Sequence, residues 1–252
     1  MRRIPIAAAI AAAAVLAPAG AQGASGNAYL RGFACHRALD PSKRTVTVTA
    51  VMSALAGAPH LQMRFQLQDR TTHGTTLIHG GDLGQWISPS SPTLGQHSSD
   101  QWVVNHPVTG VPVPGSYRFK VFFRWIGQGG QVIGQTQKTT ETCRQPDLRP
   151  NLYVRLQSAQ AVGSGNQYTV QVGNSGMTGA TGVELQFSPG GLAPAVLKTI
   201  ARLPAHQSVE RSFVGPACTS SSAPATIAVD PNDLIDVVSR ADNSITVPCP
   251  SG

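Results

Sequence analysis

Pro112-Val113-Pro114-Gly115-Ser116-Tyr117-Arg118-Phe119-Lys120-Val121-Phe122-Phe123-Arg124-Trp125 is the stretch on which the reading of this chain turns. After a Pro/Gly corner, Tyr117, Phe119, Val121, Phe123 and Trp125 are apolar, and charged residues stand between most of them. That is a period of two, the signature of a strand with one buried face, whereas an amphipathic helix repeats its apolar residues every three or four positions. Val46, Val48, Ala50 and Met52 alternate in the same way, as do Leu61, Met63, Phe65 and Leu67. Between the second and third runs, residues 80 to 116 are rich in Gly, Pro, Ser and His, and two short strands are expected there around Trp86-Ile87 and Trp102-Val103-Val104. A last strand is expected from Gln131 to Thr142, after the turn Gly127-Gln128-Gly129-Gly130. It ends at Cys143, which would tie it back to a first strand around Cys35.

The pattern restarts after Arg144-Gln145-Pro146-Asp147-Leu148-Arg149-Pro150, a proline-punctuated joint. Seven short strands are expected beyond it: 151–157, 167–172, 183–187, 195–203, 209–214, 226–229 and 244–247. Composition agrees with an all-β chain. Of 252 residues, 41% are apolar and only 12% charged, with 26 Gly and 19 Pro. Helical bundles draw on Glu, Lys, Leu and Arg for about half their residues, and disordered tails carry far more charge.

Met1-Arg2-Arg3, the apolar run to residue 18 and the small residues Ala19-Gly20-Ala21 predict a secretory signal peptide over 1–21. The run is shorter than the roughly 20 residues a bilayer core requires, and no later segment approaches that length, so no membrane span is expected. Arginines outnumber lysines fifteen to four, which with the many Ala and Gly suggests a bacterial source. An exported chain with four cysteines is read as a disulfide framework, for which three pairings exist. Spacing favours Cys35 with Cys143 and Cys218 with Cys249, one bridge in each half. Zinc ligation is disfavoured because no two cysteines stand two to four residues apart.

The corner entering Tyr117 resembles the corner before the sixth strand of immunoglobulin-like and fibronectin type III domains. There a tyrosine after a Pro/Gly turn hydrogen-bonds back to the corner backbone, a role the resemblance gives to Tyr117. The cysteines flank the first half, so the immunoglobulin pairing of two sheet-core cysteines around a tryptophan is absent. The second half resembles CARDB, a family of bacterial cell-adhesion-related domains, in three places. These are the opening 146–152, the strand and turn from Tyr168 to Gly176, and the closing Val229-Asp230-Pro231-Asn232-Asp233 with Ala241-Asp242-Asn243. The resemblances imply an all-β fold of two consecutive immunoglobulin-like β-sandwich domains, 22–145 and 146–252, with a spacer or adhesion role for the second. Family members place acidic residues where this chain has Val237 and Arg240.

Candidate chemistry is sparse. Asp230, Asn232, Asp233, Asp236, Asp242 and Asn243 form an acidic cluster that does not follow the EF-hand spacing, and turn chemistry is the favoured reading. Gly173-Asn174-Ser175-Gly176 looks like the surroundings of a serine nucleophile but lacks the nucleophile-elbow pattern and reads as a turn. His73, His79, His97 and His106 fall in the loop-rich part of the first half with no zinc-hydrolase spacing. Glutamates are three, Glu141, Glu184 and Glu210, and no catalytic, cofactor-binding or metal residues are assigned.

Charge is uneven: residues 27–146 hold eleven Lys or Arg against five Asp or Glu, and residues 147–252 hold six against seven. Within the first half, Arg118, Lys120, Phe122 and Arg124 share the face of their strand opposite the apolar one, a stripe suited to an anionic polymer or acidic partner. The competing explanation is an exposed strand whose charges prevent edge pairing, and it is the favoured one. Trp86 and Trp102 are candidates for stacking on sugar rings, against capping the core. The expected function is a secreted, non-enzymatic binding, adhesion or spacer module acting on a protein or surface glycan. Alternatives are polyanion binding through the basic half and a hydrolase with an unfamiliar site. Nucleic acid is not an expected partner, since the basic residues form no run.

Overall fold

The computed structural model describes residues 27–191, 193–218 and 223–250. The predicted signal peptide lies outside the described residues. The described chain is all-β, with no α-helix and no helix able to cross a membrane. It packs as two compact units. Residues 46–108 and 116–143 make most of the first; 144–252 make most of the second, which also takes in 36–45 and 109–115.

The strands of the first part are β1 (Ala28–His36), β2 (Thr45–Ser53), β3 (His60–Thr71), β4 (Gly74–Ile78), β5 (Trp86–Ile87), β6 (Gln101–Thr109), β7 (Gly115–Ile126), β8 (Val132–Thr139) and β9 (Cys143–Gln145). They form one sheet in the order β1-β2-β6 and a second in the order β4-β3-β7-β8, with β5 added to β3 and β9 to β7. The alternation read from the sequence becomes the core between the sheets. Val46, Val48, Ala50 and Met52 from β2 are buried, with Leu61, Met63, Phe65 and Leu67 from β3 and the odd-numbered residues of β7 from Tyr117 to Trp125. Burying such side chains contributes about 1.5–3 kcal/mol each, which fixes strand register because a slip of one residue would expose them all. The one indole N–H in this core is satisfied: Trp125 Nε1 donates to the Ser53 carbonyl at 2.9 Å.

The second unit contains β10 (Leu152–Val162), β11 (Gly165–Asn174), β12 (Ala180–Ser188), β13 (Val196–Leu203), β14 (Gln207–Pro216), β15 (Ala225–Val229) and β16 (Ser244–Val247). Its sheets run β10-β11-β14 and β13-β12-β15-β16. With the short β5 and β9 set aside, both units obey one rule. The first, second and fifth strands make one sheet, and the fourth, third, sixth and seventh make the other. Tyr168, Val170, Val172, Leu185, Phe187, Phe213 and Ile227 lie at the centre of the second core.

Both disulfides form as spacing favoured: Cys35–Cys143 with Cα atoms 5.4 Å apart, and Cys218–Cys249 with Cα atoms 5.8 Å apart. Closing 108 and 31 residues of chain restricts the unfolded state by roughly 4–5 and somewhat over 3 kcal/mol.

Several local expectations are corrected. β4 was not foreseen; it folds back on β3 through a tight turn in which Thr71 Oγ1 accepts the His73 N–H at 3.2 Å. β6 is nine residues long rather than a short segment at Trp102, and Pro107 is tolerated because β6 lies at a sheet edge. The strand expected from Gln131 to Thr142 ends at Thr139, and Cys143 belongs to the separate β9.

A candidate anion-binding face on the first unit

The even-numbered residues of β7 and β3 point away from the core, on the outer face of the β4-β3-β7-β8 sheet. Antiparallel register sets them side by side: Gln62 opposite Arg124, Arg64 opposite Phe122, Gln66 opposite Lys120 and Gln68 opposite Arg118. β5 places Trp86 opposite Arg64, and β8 places Gln135 opposite Arg124 and Gln137 opposite Phe122. The stripe Arg118, Lys120, Phe122 and Arg124 therefore stands at the middle of a sheet. β7 is hydrogen-bonded to β3 on one side and β8 on the other, so edge protection does not account for its charges.

Cations and rings alternate across this face. The Lys120 ammonium is 5.1 Å from the Phe122 ring centroid, and the Arg64 guanidinium is 4.4 Å from Phe122 and 4.7 Å from Trp86. Arg124 closes the series at 3.9 Å from Trp86. Each contact of this kind contributes about 0.5–1 kcal/mol at an exposed site and more when desolvated. Arg64 is the inner member; its Nε is shielded from solvent and has no hydrogen-bond partner among the described residues. The outer arginines are aimed by glutamines: Arg118 Nε donates to Gln68 Oε1 at 2.9 Å, and Arg124 Nε donates to Gln62 Oε1. Gln62 in turn donates from Nε2 to Ser88 Oγ at 3.3 Å.

Among the described residues, no ion pair neutralises Arg64, Arg118, Lys120 or Arg124. Guanidiniums held at Nε by a neutral amide keep their Nη groups for an outside acceptor. Arg64, Trp86, Phe122, Gln135 and Gln137 border a groove of about 470 Å³ on this face. Because each ring already carries two cations, a sugar ring has little aromatic surface left to stack on. The face presents four cations and, among the described residues, no carboxylate paired with them. Trp102, the other aromatic considered for sugar stacking, lies on β6 in the opposite sheet.

Sequence reasoning found the β7 stripe but not its partners. Gln62, Arg64, Gln66 and Gln68 alternate with the buried residues of β3, and that periodicity was the available signal. What the sequence could not supply was the pairing of β3 and β5 with β7.

Most members of the other candidate clusters are held by local contacts. Asp230, buried, accepts the N–H groups of Leu234 and Ile235 at 3.0 and 3.1 Å and a hydrogen bond from Arg240 Nη1 at 3.0 Å. Arg240 also pairs with Asp233, while Asp236 pairs with Arg149 at 2.8 Å. Guanidiniums thus stand among these carboxylates, while the buried side-chain amide of Asn243 has no hydrogen-bond partner among the described residues. Arg149 also holds Asp147: the hydrogen bond between their side chains keeps the Asp147 carboxyl below the usual carboxylate range and raises the guanidinium further above neutrality. In Gly173-Asn174-Ser175-Gly176, the buried Asn174 amide is a turn anchor. Its Oδ1 accepts from the N–H groups of Asn151 and Gly176 at 3.0 Å each, and its Nδ2 donates to the carbonyls of Thr178 and Leu203 at 2.8 and 3.3 Å. His106 is buried in the first core, edge-on to Phe65 with ring centroids 4.4 Å apart, and its Nε2 is 3.2 Å from Asp82 Oδ1.

No family model matches the chain, and no curated protein matches it. Among solved structures, it is similar to the exo-chitosanase CsxA of Amycolatopsis orientalis at 14% identity and a TM-score of 0.28, with 86% of this chain and 26% of that one covered. A second structure of the exo-β-D-glucosaminidase CsxA aligns at 10% identity and a TM-score of 0.29, with the same coverage. The receptor tyrosine kinase Torso aligns at 9% identity and a TM-score of 0.22, over 81% of this chain and 69% of that one. The chain spans about a quarter of the two glycosidase chains, and likenesses of this strength carry no functional argument.

Proposed function

We propose that the protein is an exported, non-enzymatic binding module that attaches to an anionic surface polymer through the outer face of its first unit. The observation that carries this reading is the set of four cations on one rigid sheet face, spaced by rings and amides and unopposed by any carboxylate among the described residues. A solvated surface of mixed charge has no need of such order. Two disulfides support export, because such bridges persist in oxidising compartments. The second unit, whose sequence resembles CARDB domains, serves as a spacer or adhesion element.

The test is retention on immobilised heparin and on immobilised polygalacturonate at low salt, for the protein and for a variant carrying Arg118→Gln, Lys120→Gln and Arg124→Gln. These side chains are outside the core, so the variant keeps its fold. Retention of the parent, lost in the variant, is the expected result. A parent that passes both resins unretarded at low salt removes the proposal.

A further inference from the structure

We infer that the ligand is a linear acidic polysaccharide, followed along a track that starts on the cationic face and ends in a neutral cleft formed by three loops. The inference rests on the anion-binding reading above and names its ligand class. Two further grooves carry it. One, of about 420 Å³, lies between Gln62 and Ile126 on the sheet and Ser88, Pro92 and Leu94 on the segment after β5. The other, of about 930 Å³, lies between the β2–β3 loop Ala54–Pro59, the segment Gly95–Ser98 and the β7–β8 loop residues Gln128 and Gln131. His60 borders both grooves, so the two adjoin at that side chain. Gln62 joins the first of them to the cationic face, because its one amide accepts from Arg124 and donates to Ser88.

The chemistry of the lining changes along the way. The sheet face that precedes the grooves carries Arg118, Lys120 and Arg124, whereas the last groove is bordered by Gln96, Gln128, Gln131, Ser98, His60 and His97 together with Ala and Gly residues. Asp100, two residues past Ser98, is turned to its own backbone and to the His97 ring, whose Nδ1 lies 3.6 Å from its Oδ2. It accepts the N–H groups of His97 and Gly95 at 3.0 and 2.9 Å, and those bonds hold its carboxyl below the usual range. The same bonds fix the wall of the cleft. Gly95, at φ +109°, passes so close to β3 and the β2–β3 loop that a Cβ there would meet Leu61 and the Pro59 carbonyl at 3.0 and 3.2 Å.

Amides and hydroxyls donate and accept at once, which suits sugar hydroxyl groups. A run of phosphates would leave half its charges in a stretch without lysine or arginine. A polymer carrying both carboxylate or sulfate and many hydroxyls satisfies both ends of the track. From Gln68 to His60 the strand covers about 26 Å at 3.3 Å per residue, enough for on the order of five linked sugar rings.

Calorimetry with oligogalacturonides of two to ten units tests this, with inorganic polyphosphate of matched charge as comparator. Affinity should climb about tenfold or more between two and six units and then level off, as added hydrogen-bonding subsites are filled. A variant with Gln96→Ala, Gln128→Ala and Gln131→Ala should bind the dimer as the parent does and lose that climb. A second variant, Gln128→Glu, which sets a carboxylate against the ligand, should lose it too. Affinity that depends on charge alone, with polyphosphate bound as tightly and both loop variants unchanged, overturns the track and leaves the cationic face standing. Binding of neither polymer overturns both.

Discussion

Salt dependence is the sharpest probe of the cationic face, because its size follows from the number of side chains engaged. Arg64, Arg118, Lys120 and Arg124 lie on that face without a carboxylate partner among the described residues. On a densely charged polymer each neutralised anion releases on the order of 0.8 counterion, so four contacts give a slope of log K against log salt near −3. Raising salt from about 50 to 200 mM should then weaken binding roughly 80-fold. Replacing Arg118, Lys120 and Arg124 by glutamine leaves Arg64, and the slope should flatten to about −0.8, a loss of only about threefold over the same range. The measurement is fluorescence anisotropy of a labelled heparin oligosaccharide titrated with protein at four salt concentrations. A parent slope shallower than about −1.5, or equal slopes for parent and variant, would refute the assignment of binding to this face.

Asn174→Ala should destabilise the second unit by about 3–5 kcal/mol, because it leaves two backbone N–H groups and two carbonyls without their partner. Calorimetry should show its melting point lowered by about 15 °C or more, and a drop under about 4 °C would mean that water replaces the amide. Arg240→Ala strips the buried Asp230 of its guanidinium and should cost about 2 kcal/mol, while a chelator should leave the parent's thermal midpoint where it was. A midpoint lowered by the chelator would show that a cation, not Arg240, completes the cluster. Asp147 has its pKa lowered in the folded state, so its contribution is fully present above the unfolded carboxylate value of about 3.9 and is lost as the pH falls below it. Denaturation midpoints measured from about pH 6 down to pH 2.5 should fall below pH 4, less steeply in Asp147→Asn. Parallel curves would contradict the pairing with Arg149.

The sandwich was legible because β2, β3 and β7 each bury alternate residues, and no helical spacing competes with Tyr117 through Trp125. The disulfide partners were legible because each pair brackets one block of that pattern. β4 escaped because Gly74–Ile78 buries no residue and so has no apolar rhythm. His106 escaped for the opposite reason: polar by type, it fills an inward position on β6 against Phe65. The stripe on β7 was read from local alternation, but its place at the centre of a sheet was not, since whether a strand is central or at an edge depends on partners 50 or more residues away. Gln68 and Gln62, 50 and 62 residues from the arginines they hold, show the same limit.

Along β7 the odd positions seal the interior and the even ones meet the outside, with no side chain serving both. Rewriting the even set changes what the sheet greets and leaves its foundations alone. A lineage, or an engineer, can thus alter the chemistry of this surface in single steps without touching the side chains that hold the interior together.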